Sequence, residues 1–169
     1  MTDQKNNQIT GFYPWAMMDA DSMSLHDVNE SLSAVIISPN SKVAMLKQLH
    51  EANELWIPCY FDPGQQVINY TKEELLDVAE HATYLFFNDY ECEVFCERSW
   101  IARSELHSHV DGYLVTKWAE WAIYVDNSGN ETYVTAVPTD NVTDPTGAGD
   151  AFRWWSVSYT HLTLPTKPS

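Results

Sequence analysis

Short runs of apolar residues alternate along this chain with longer segments whose apolar residues recur at helical spacing. The run Ser33–Ile37, for example, precedes Ser41–Asn53, where apolar side chains return about every 3.6 residues. Such alternation predicts a layered α/β domain. The predicted strands are Ser33–Ile37, Leu55–Phe61, Thr83–Phe87, Gly112–Thr116, Ala122–Val125 and Thr132–Val137.

Polar residues mark the starts of the predicted helices and the turns between strands. Thr71 can cap a helix, with Glu74 at the capping-box position three residues later. A short helix is predicted over Glu91–Arg98. The tripeptide 127–129, Asn-Ser-Gly, predicts a hairpin that joins the last two strands.

Four polar residues each stand just past the predicted carboxyl end of a strand. They are Asn40, Asp62, Asn88 and Lys117. Ligands of open α/β sheets bind at the edge formed by these strand ends. We therefore expect the four loops to meet at one rim of the sheet.

The composition argues against some classes of binding partner. The 169 residues are 44% hydrophobic and carry a net charge of −15, which argues against disorder and against a nucleic-acid partner. No apolar run approaches the roughly 20 residues of a membrane span, so no membrane partner is expected. Three cysteines and the lack of an apolar leader indicate a cytoplasmic protein. The oligomeric state stays open.

Two pairs of residues have metal-binding spacing with an ordinary alternative. Cys92 and Cys96 lie four apart on a predicted helix, either as metal ligands or as two buried thiols. His107 and His109 form either a metal pair or an exposed loop. Buried thiols are the favoured interpretation for the cysteines. An exposed loop is favoured for the histidines, because no ligand cluster accompanies them in the sequence.

The segment 144–150, Asp-Pro-Thr-Gly-Ala-Gly-Asp, carries the clearest chemistry. Gly147 and Gly149 leave consecutive backbone N–H groups free to approach an anion, because no Cβ obstructs them. Asp150 follows at the predicted start of a helix, where it could act as a base beside a bound phosphate. The pattern predicts a phosphoryl-transfer site. A dinucleotide fingerprint is the alternative, but Phe152 stands where a third glycine would be needed.

Several motifs in the right order resemble the ribokinase-like PfkB family of carbohydrate and nucleoside kinases, especially its bacterial adenosine-kinase-like members. The resemblance runs from about residue 3 to residue 153. It implies a ribokinase-like three-layer α/β/α sandwich, with a mostly parallel central sheet and a β-hairpin at the ATP side. The motifs that carry it are Gly147–Asp150, Asn88–Glu91, Asp62–Gln66 and Thr116–Trp121.

The resemblance implies an ATP-dependent kinase that phosphorylates a hydroxyl of a sugar or nucleoside, with adenosine as one candidate. Asp150 would be the general base. The backbone N–H groups of Gly147, Ala148 and Gly149 would stabilise the charge on the transferring phosphoryl group. The segment Pro14–Met17 resembles a family segment near the acceptor substrate.

The resemblance also assigns residues to the nucleotide side of the site. Asn88 and Glu91 would organise Mg²⁺ through water, which suits an ion that keeps several of its waters. Thr116, Lys117 and Thr146 would line the ATP site. The glycines of the family's loop after Lys117 are replaced here.

Family members are about twice as long as this chain. Residues 1–153 are therefore expected to form part of the kinase domain, without the lid and the early strands. Residues 154–169 resemble translated adaptor sequence more than protein, and we expect a non-native tail. A non-catalytic remnant of such a kinase, and a nicotinamide-dependent oxidoreductase, are the alternative functions.

All seven tryptophans occupy positions where this family carries or readily accepts glycine. Exchanging the two residue types would raise glycine from 6 residues to 13, near the ~7% typical of proteins. Our hypothesis is that glycine codons were translated as tryptophan, as happens when UGA is reassigned; genuine tryptophans in a decayed gene are the alternative. The tryptophans are Trp15, Trp56, Trp100, Trp118, Trp121, Trp154 and Trp155.

Overall fold

A six-stranded sheet forms the centre of the fold in the computed structural model, which describes residues 15–117, 120–136, 149, 151–153 and 156. The strands lie side by side in chain order. Their bounds are β1 Val35–Ile37, β2 Cys59–Phe61, β3 Tyr84–Asn88, β4 Gly112–Lys117, β5 Trp121–Asp126 and β6 Glu131–Thr135.

Helices connect the strands, and capping side chains mark where two of them begin. Ser41 accepts a hydrogen bond from the Ala44 backbone N–H, and Thr71 and Glu74 form a capping box. Short 3₁₀ segments cover residues 20–22, 25–27, 64–69 and 106–108. The α-helices are α1 Trp15–Met18, α2 Lys42–Glu54, α3 Lys72–His81 and α4 Asp89–Ser99.

The first four strands are parallel and the last two are antiparallel. Helices α2, α3 and α4 are the crossovers between consecutive parallel strands. The turn between β5 and β6 is fixed by Asp126, whose Oδ1 accepts from the backbone N–H groups of Ser128 and Asn130, and by Gly129 at φ +80°. The predicted mostly parallel sheet with a terminal hairpin is confirmed.

Side chains of each strand alternate between the two faces of the sheet, and one face packs against the helices. Alternate residues of the central strands, such as Phe61, Leu85 and Phe87, are fully buried there. Side chains of α2, α3 and α4 fill the space opposite them. These side chains include Met45, Leu49, Leu75, Val78 and Phe95.

The second strand is shorter than predicted. The prediction began it at Leu55, but Leu55 and Trp56 end helix α2. The backbone N–H of Trp56 bonds to the Asn53 carbonyl and that of Ile57 to the Ala52 carbonyl, at 3.1 and 2.9 Å. This pair of bonds is a Schellman motif, which closes a helix and needs a left-handed residue just past its end.

Two tryptophans adopt the left-handed backbone conformation that favours glycine. Trp56 has φ +57° in the Schellman motif, and Trp100 has φ +63° directly after α4. Their side chains are 93% and 79% exposed, so packing does little to hold them there. Trp15 and Trp121 lie in α1 and β5, and residues 118, 154 and 155 lie outside the description. The glycine hypothesis thus gains support at two positions.

The outer strands differ in exposure. Strand β1 lies at one edge of the sheet with Ile37 buried, whereas every residue of β6, at the other edge, is exposed. Val137, which the prediction included in the last strand, lies outside the described residues. In the part of the chain described, no helix is both long and apolar enough to cross a bilayer.

Candidate active site

The carboxyl ends of the four parallel strands form one edge of the sheet. Strand β3 ends at Asn88 and β4 at Lys117, and Asn88 pairs in register with Thr116. The Thr116 hydroxyl donates to the Phe87 carbonyl at 3.4 Å, which ties β4 to β3 at this edge. Because neighbouring strands are about 4.8 Å apart, the backbones of Asn88 and Thr116 lie side by side.

Asn88 and Glu91 form a capping box at the start of α4. The Glu91 backbone N–H donates to Asn88 Oδ1 at 2.7 Å, and the Asn88 N–H donates to Glu91 Oε2 at 2.8 Å. Glu91 is buried, at 4% exposed, beside the positive end of the helix dipole. Each side chain therefore commits one oxygen to the backbone.

Asp62 lies just past the end of β2 and is completely buried. Its Oδ1 accepts from the Gly64 backbone N–H at 2.9 Å, and its Oδ2 lies 2.5 Å from Arg153 Nε. Gly64 has φ +50°, and a Cβ there would collide with the ring of Pro39 in the loop after β1. Only glycine fits this turn, because both its backbone conformation and its neighbour exclude a side chain.

Arg153 connects the glycine motif to this edge of the sheet. Gly149 and residues 151–153 are helical, and a Cβ built on Gly149 would lie 3.2 Å from Arg153 Nη1. The same guanidinium pairs with Asp62. The segment around Gly149 therefore lies close to the carboxyl end of β2, whereas residues 146–148 and Asp150 lie outside the described residues.

Lys117 points along the surface at the end of β4. Its Nζ lies 3.2 Å from Glu120 Oε2, and both side chains are partly exposed. The same Nζ lies 5.9 Å from the centre of the Trp121 ring. Trp118, between them in the sequence, lies outside the described residues.

The sequence matches the profile of the pfkB family of carbohydrate kinases over residues 1–153. The chain belongs to this family. It is 29% identical to a nucleoside kinase of Methanocaldococcus jannaschii over 153 residues, which cover 90% of this chain and 49% of that protein. A nucleoside kinase of Methanothermobacter thermautotrophicus is 28% identical over 155 residues. The chain spans about half the length of these curated relatives.

Solved structures of nucleoside kinases share the fold described above. The Burkholderia thailandensis nucleoside kinase in complex with inosine is 32% identical, with a TM-score of 0.86 over 95% of this chain and 52% of that one. The M. jannaschii nucleoside kinase, a ribokinase-family member, is 29% identical with a TM-score of 0.86, over 97% of this chain and 54% of that one. The predicted ribokinase-like fold is thereby confirmed, as a partial domain.

The structure places the cysteine pair on α4 and the histidine pair at a short 3₁₀ turn. Cys92 is buried and Cys96 half-buried on α4; the hydrogen bond with Cys96, and burial, raise the pKa of Cys92. His107 and His109 flank the end of a 3₁₀ turn. Among the described residues, neither pair belongs to a group of three or more side chains arranged to hold a metal ion.

Sequence reasoning missed two contacts. The ion pair of Asp62 with Arg153 joins residues 91 positions apart, so no local sequence pattern predicts it. A group formed by His50, Asp77 and His81 was also missed, although Asp77 and His81 have the i, i+4 spacing of one helix face.

Proposed function

We propose that the protein to which this chain belongs transfers the γ-phosphoryl group of ATP to a hydroxyl of a nucleoside. Its curated relatives are nucleoside kinases, and the B. thailandensis enzyme has been solved with inosine and with ADP-inosine. A sugar is the alternative acceptor, since the matching family is described as one of carbohydrate kinases. The reaction is expected in the cytoplasm.

One ion pair supports the mechanism in particular. The Arg153–Asp62 pair holds the helix after the glycine motif at the sheet edge that also carries Asn88 and Thr116. Kinase chemistry needs these two regions together, because the base must reach the attacking hydroxyl, and the anion hole the transferring phosphoryl group, beside the bound nucleotide. An open α/β sheet binds its ligands at this edge.

In this mechanism Asp150 accepts the proton of the attacking hydroxyl. The backbone N–H groups of Gly147, Ala148 and Gly149 donate to the oxygens of the transferring group, whose charge is greatest in the transition state. The helix start that the sequence predicts here would add a favourable dipole. Arg153 is engaged by Asp62 and therefore acts as an anchor for the helix.

The nucleotide side of the site consists of Thr116, Lys117 and Thr146, with Asn88 and Glu91 beside the phosphates. The donor set of Asn88 and Glu91 fits magnesium, which prefers oxygen ligands and retains water. Each residue already uses one side-chain oxygen in the capping box, so we propose that both hold the ion through its water ligands. Magnesium would neutralise charge on the phosphates.

A non-catalytic remnant is the second candidate, and the tryptophans favour it. Trp121 is half-buried and packs edge-on against Tyr133, with ring centres 6.3 Å apart. It stands where the family's ATP loop has a glycine. A genuine indole there, together with Trp118, would obstruct the nucleotide.

The deciding experiment measures ADP formation by the complete protein with ATP, magnesium and either inosine, adenosine or ribose. Asp150→Asn is expected to lower turnover by at least about 100-fold, because it removes the base. The matched control is Asp27→Asn, an exposed carboxylate far along the chain from the glycine motif, which should leave turnover unchanged. Failure to bind ATP or form ADP with any acceptor would support the remnant instead.

A further inference from the structure

Helices α2 and α3 bring two imidazoles and one carboxylate together on the molecular surface. His50 Nε2 lies 3.0 Å from Asp77 Oδ2, and His81 Nδ1 lies 3.1 Å from Asp77 Oδ1. The two imidazole rings meet edge to face, with centres 4.9 Å apart. One donor atom from each residue lies within 4.8 Å of the other two.

The secondary structure explains why these side chains meet. Asp77 and His81 are four residues apart on α3, so they project from the same face of that helix. His50 lies near the end of α2, the crossover helix beside α3. All three side chains are partly exposed, at 44%, 31% and 27% for His50, Asp77 and His81, so an ion can reach them from solvent.

We propose that His50, Asp77 and His81 bind a divalent transition-metal ion of the zinc type between α2 and α3. Imidazole nitrogen with one carboxylate oxygen is a donor set that suits zinc, and three protein ligands leave a fourth position for water. Tetrahedral zinc with bonds of about 2.0–2.1 Å places its ligand atoms about 3.3 Å apart. The two contacts of Asp77 are already near that separation.

Binding would exchange hydrogen bonds for metal bonds. Without a metal, the Asp77 carboxylate bridges the two rings, and His81 Nδ1 also lies 2.9 Å from the Asp77 backbone carbonyl. The metal takes the place of the protons between the rings and the carboxylate. The largest separation has to shrink by at most about 1.5 Å, which rotation of partly exposed side chains allows.

This site is separate from the proposed phosphoryl-transfer region. His81 is the last residue of α3, three residues before β3 begins, so the group lies at the amino ends of the strands. Asn88 lies at the opposite end of β3. The ligand atoms also differ, since two of the three here are imidazole nitrogens, whereas the ligands proposed for magnesium are oxygens. A metal at this place would crosslink two helices, whether or not the protein is a kinase.

The test is equilibrium dialysis of the purified protein against zinc chloride, with the bound metal quantified. We expect one zinc ion per chain, retained in excess magnesium. Each of His50→Gln, Asp77→Asn and His81→Gln should weaken zinc affinity by at least about tenfold, because each removes a ligand. Two controls should bind as well as the parent: His109→Gln, an exposed imidazole outside the group, and Cys96→Ser, a half-buried thiol.

Cobalt substitution of the parent protein gives a second readout that needs no variant to fold. We expect the visible absorption of four-coordinate cobalt without a thiolate-to-cobalt charge-transfer band. No retained zinc, affinity unchanged in both His50→Gln and Asp77→Asn, or a thiolate band in the cobalt form would each overturn the proposal.

Discussion

Replacing Trp56 by glycine should stabilise the chain. The left-handed backbone at φ +57° brings a Cβ close to the following carbonyl, at a cost of about 1–2 kcal/mol. Glycine removes that strain but loses about 0.5–1 kcal/mol more conformational entropy on folding. With the indole 93% exposed, the burial lost is worth at most about 0.5 kcal/mol. The expected net gain is about 0.5 kcal/mol.

An alanine variant separates the backbone effect from the loss of the side chain. Trp56→Ala also removes the indole, but it keeps a Cβ in the left-handed conformation. Glycine should therefore exceed alanine in unfolding free energy by about 0.5–1 kcal/mol, or ~2 °C in Tm for a chain of this size. Urea unfolding followed by far-ultraviolet circular dichroism measures both, because this signal does not depend on the indole.

Trp121→Gly is the matched control, since it makes the same exchange in an extended strand. Trp121 packs against the core from β5, so glycine there should lower stability by at least ~1 kcal/mol. If glycine raises the unfolding free energy at position 56 and lowers it at position 121, the left-handed backbone is the cause of the gain. If Trp56→Gly is no more stable than Trp56→Ala, the reasoning about strain is wrong.

Four further results are expected. Trp100→Gly should raise the unfolding free energy by less than Trp56→Gly does in urea unfolding, because Lys72 Nζ lies 3.5 Å from the Trp100 ring centre and that contact is lost. In the gene, UGG codons at both positions would refute reassignment. Arg153→Ala should lower the unfolding free energy by about 3 kcal/mol, since buried Asp62 loses an ion-pair partner; an unchanged urea midpoint would contradict this. Burial raises the pKa of Glu51, but hydrogen bonds from Leu25 and Ser24 and the charge of Lys47 outweigh it and lower that pKa below 4.5. The stability difference between the parent and Glu51→Gln should therefore be full above about pH 4.5 and vanish as pH falls further, in urea melts across that range. Glu91→Gln should keep the thermal midpoint but lower magnesium-dependent turnover of the complete protein.

The order of elements could be predicted from the sequence because each relies on a local signal. Thr71 and Glu74 mark a helix start within four residues, and the turn at 127–129 marks a hairpin. The start of β2 could not be predicted, since the apolar run from Leu55 begins inside the closing turn of α2. Apolar character alone does not distinguish the end of a helix from the start of a strand.

The candidate site was predictable only as separate motifs. The sequence places Asn88 and Asp62 after strands, and the parallel sheet then puts those strand ends at one edge. The approach of Gly149 to that edge depends on a long-range ion pair, and the meeting of His50 with Asp77 depends on helix packing. Neither contact has a periodic or local signal, because tertiary packing decides both.

The capping box at Asn88 and Glu91 and the proposed magnesium role are compatible. Mutual hydrogen bonds of 2.7 and 2.8 Å fix both side chains at the end of β3. In the proposed role, the Glu91 carboxylate would therefore need no reorganisation when magnesium and the phosphates bind. Glutamine also completes a capping box, since its carbonyl oxygen accepts the same N–H. Glu91→Gln therefore removes the negative charge and leaves the cap in place. If that variant lost stability and turnover together, the cap alone would account for Glu91; loss of turnover at an unchanged thermal midpoint requires the charge itself.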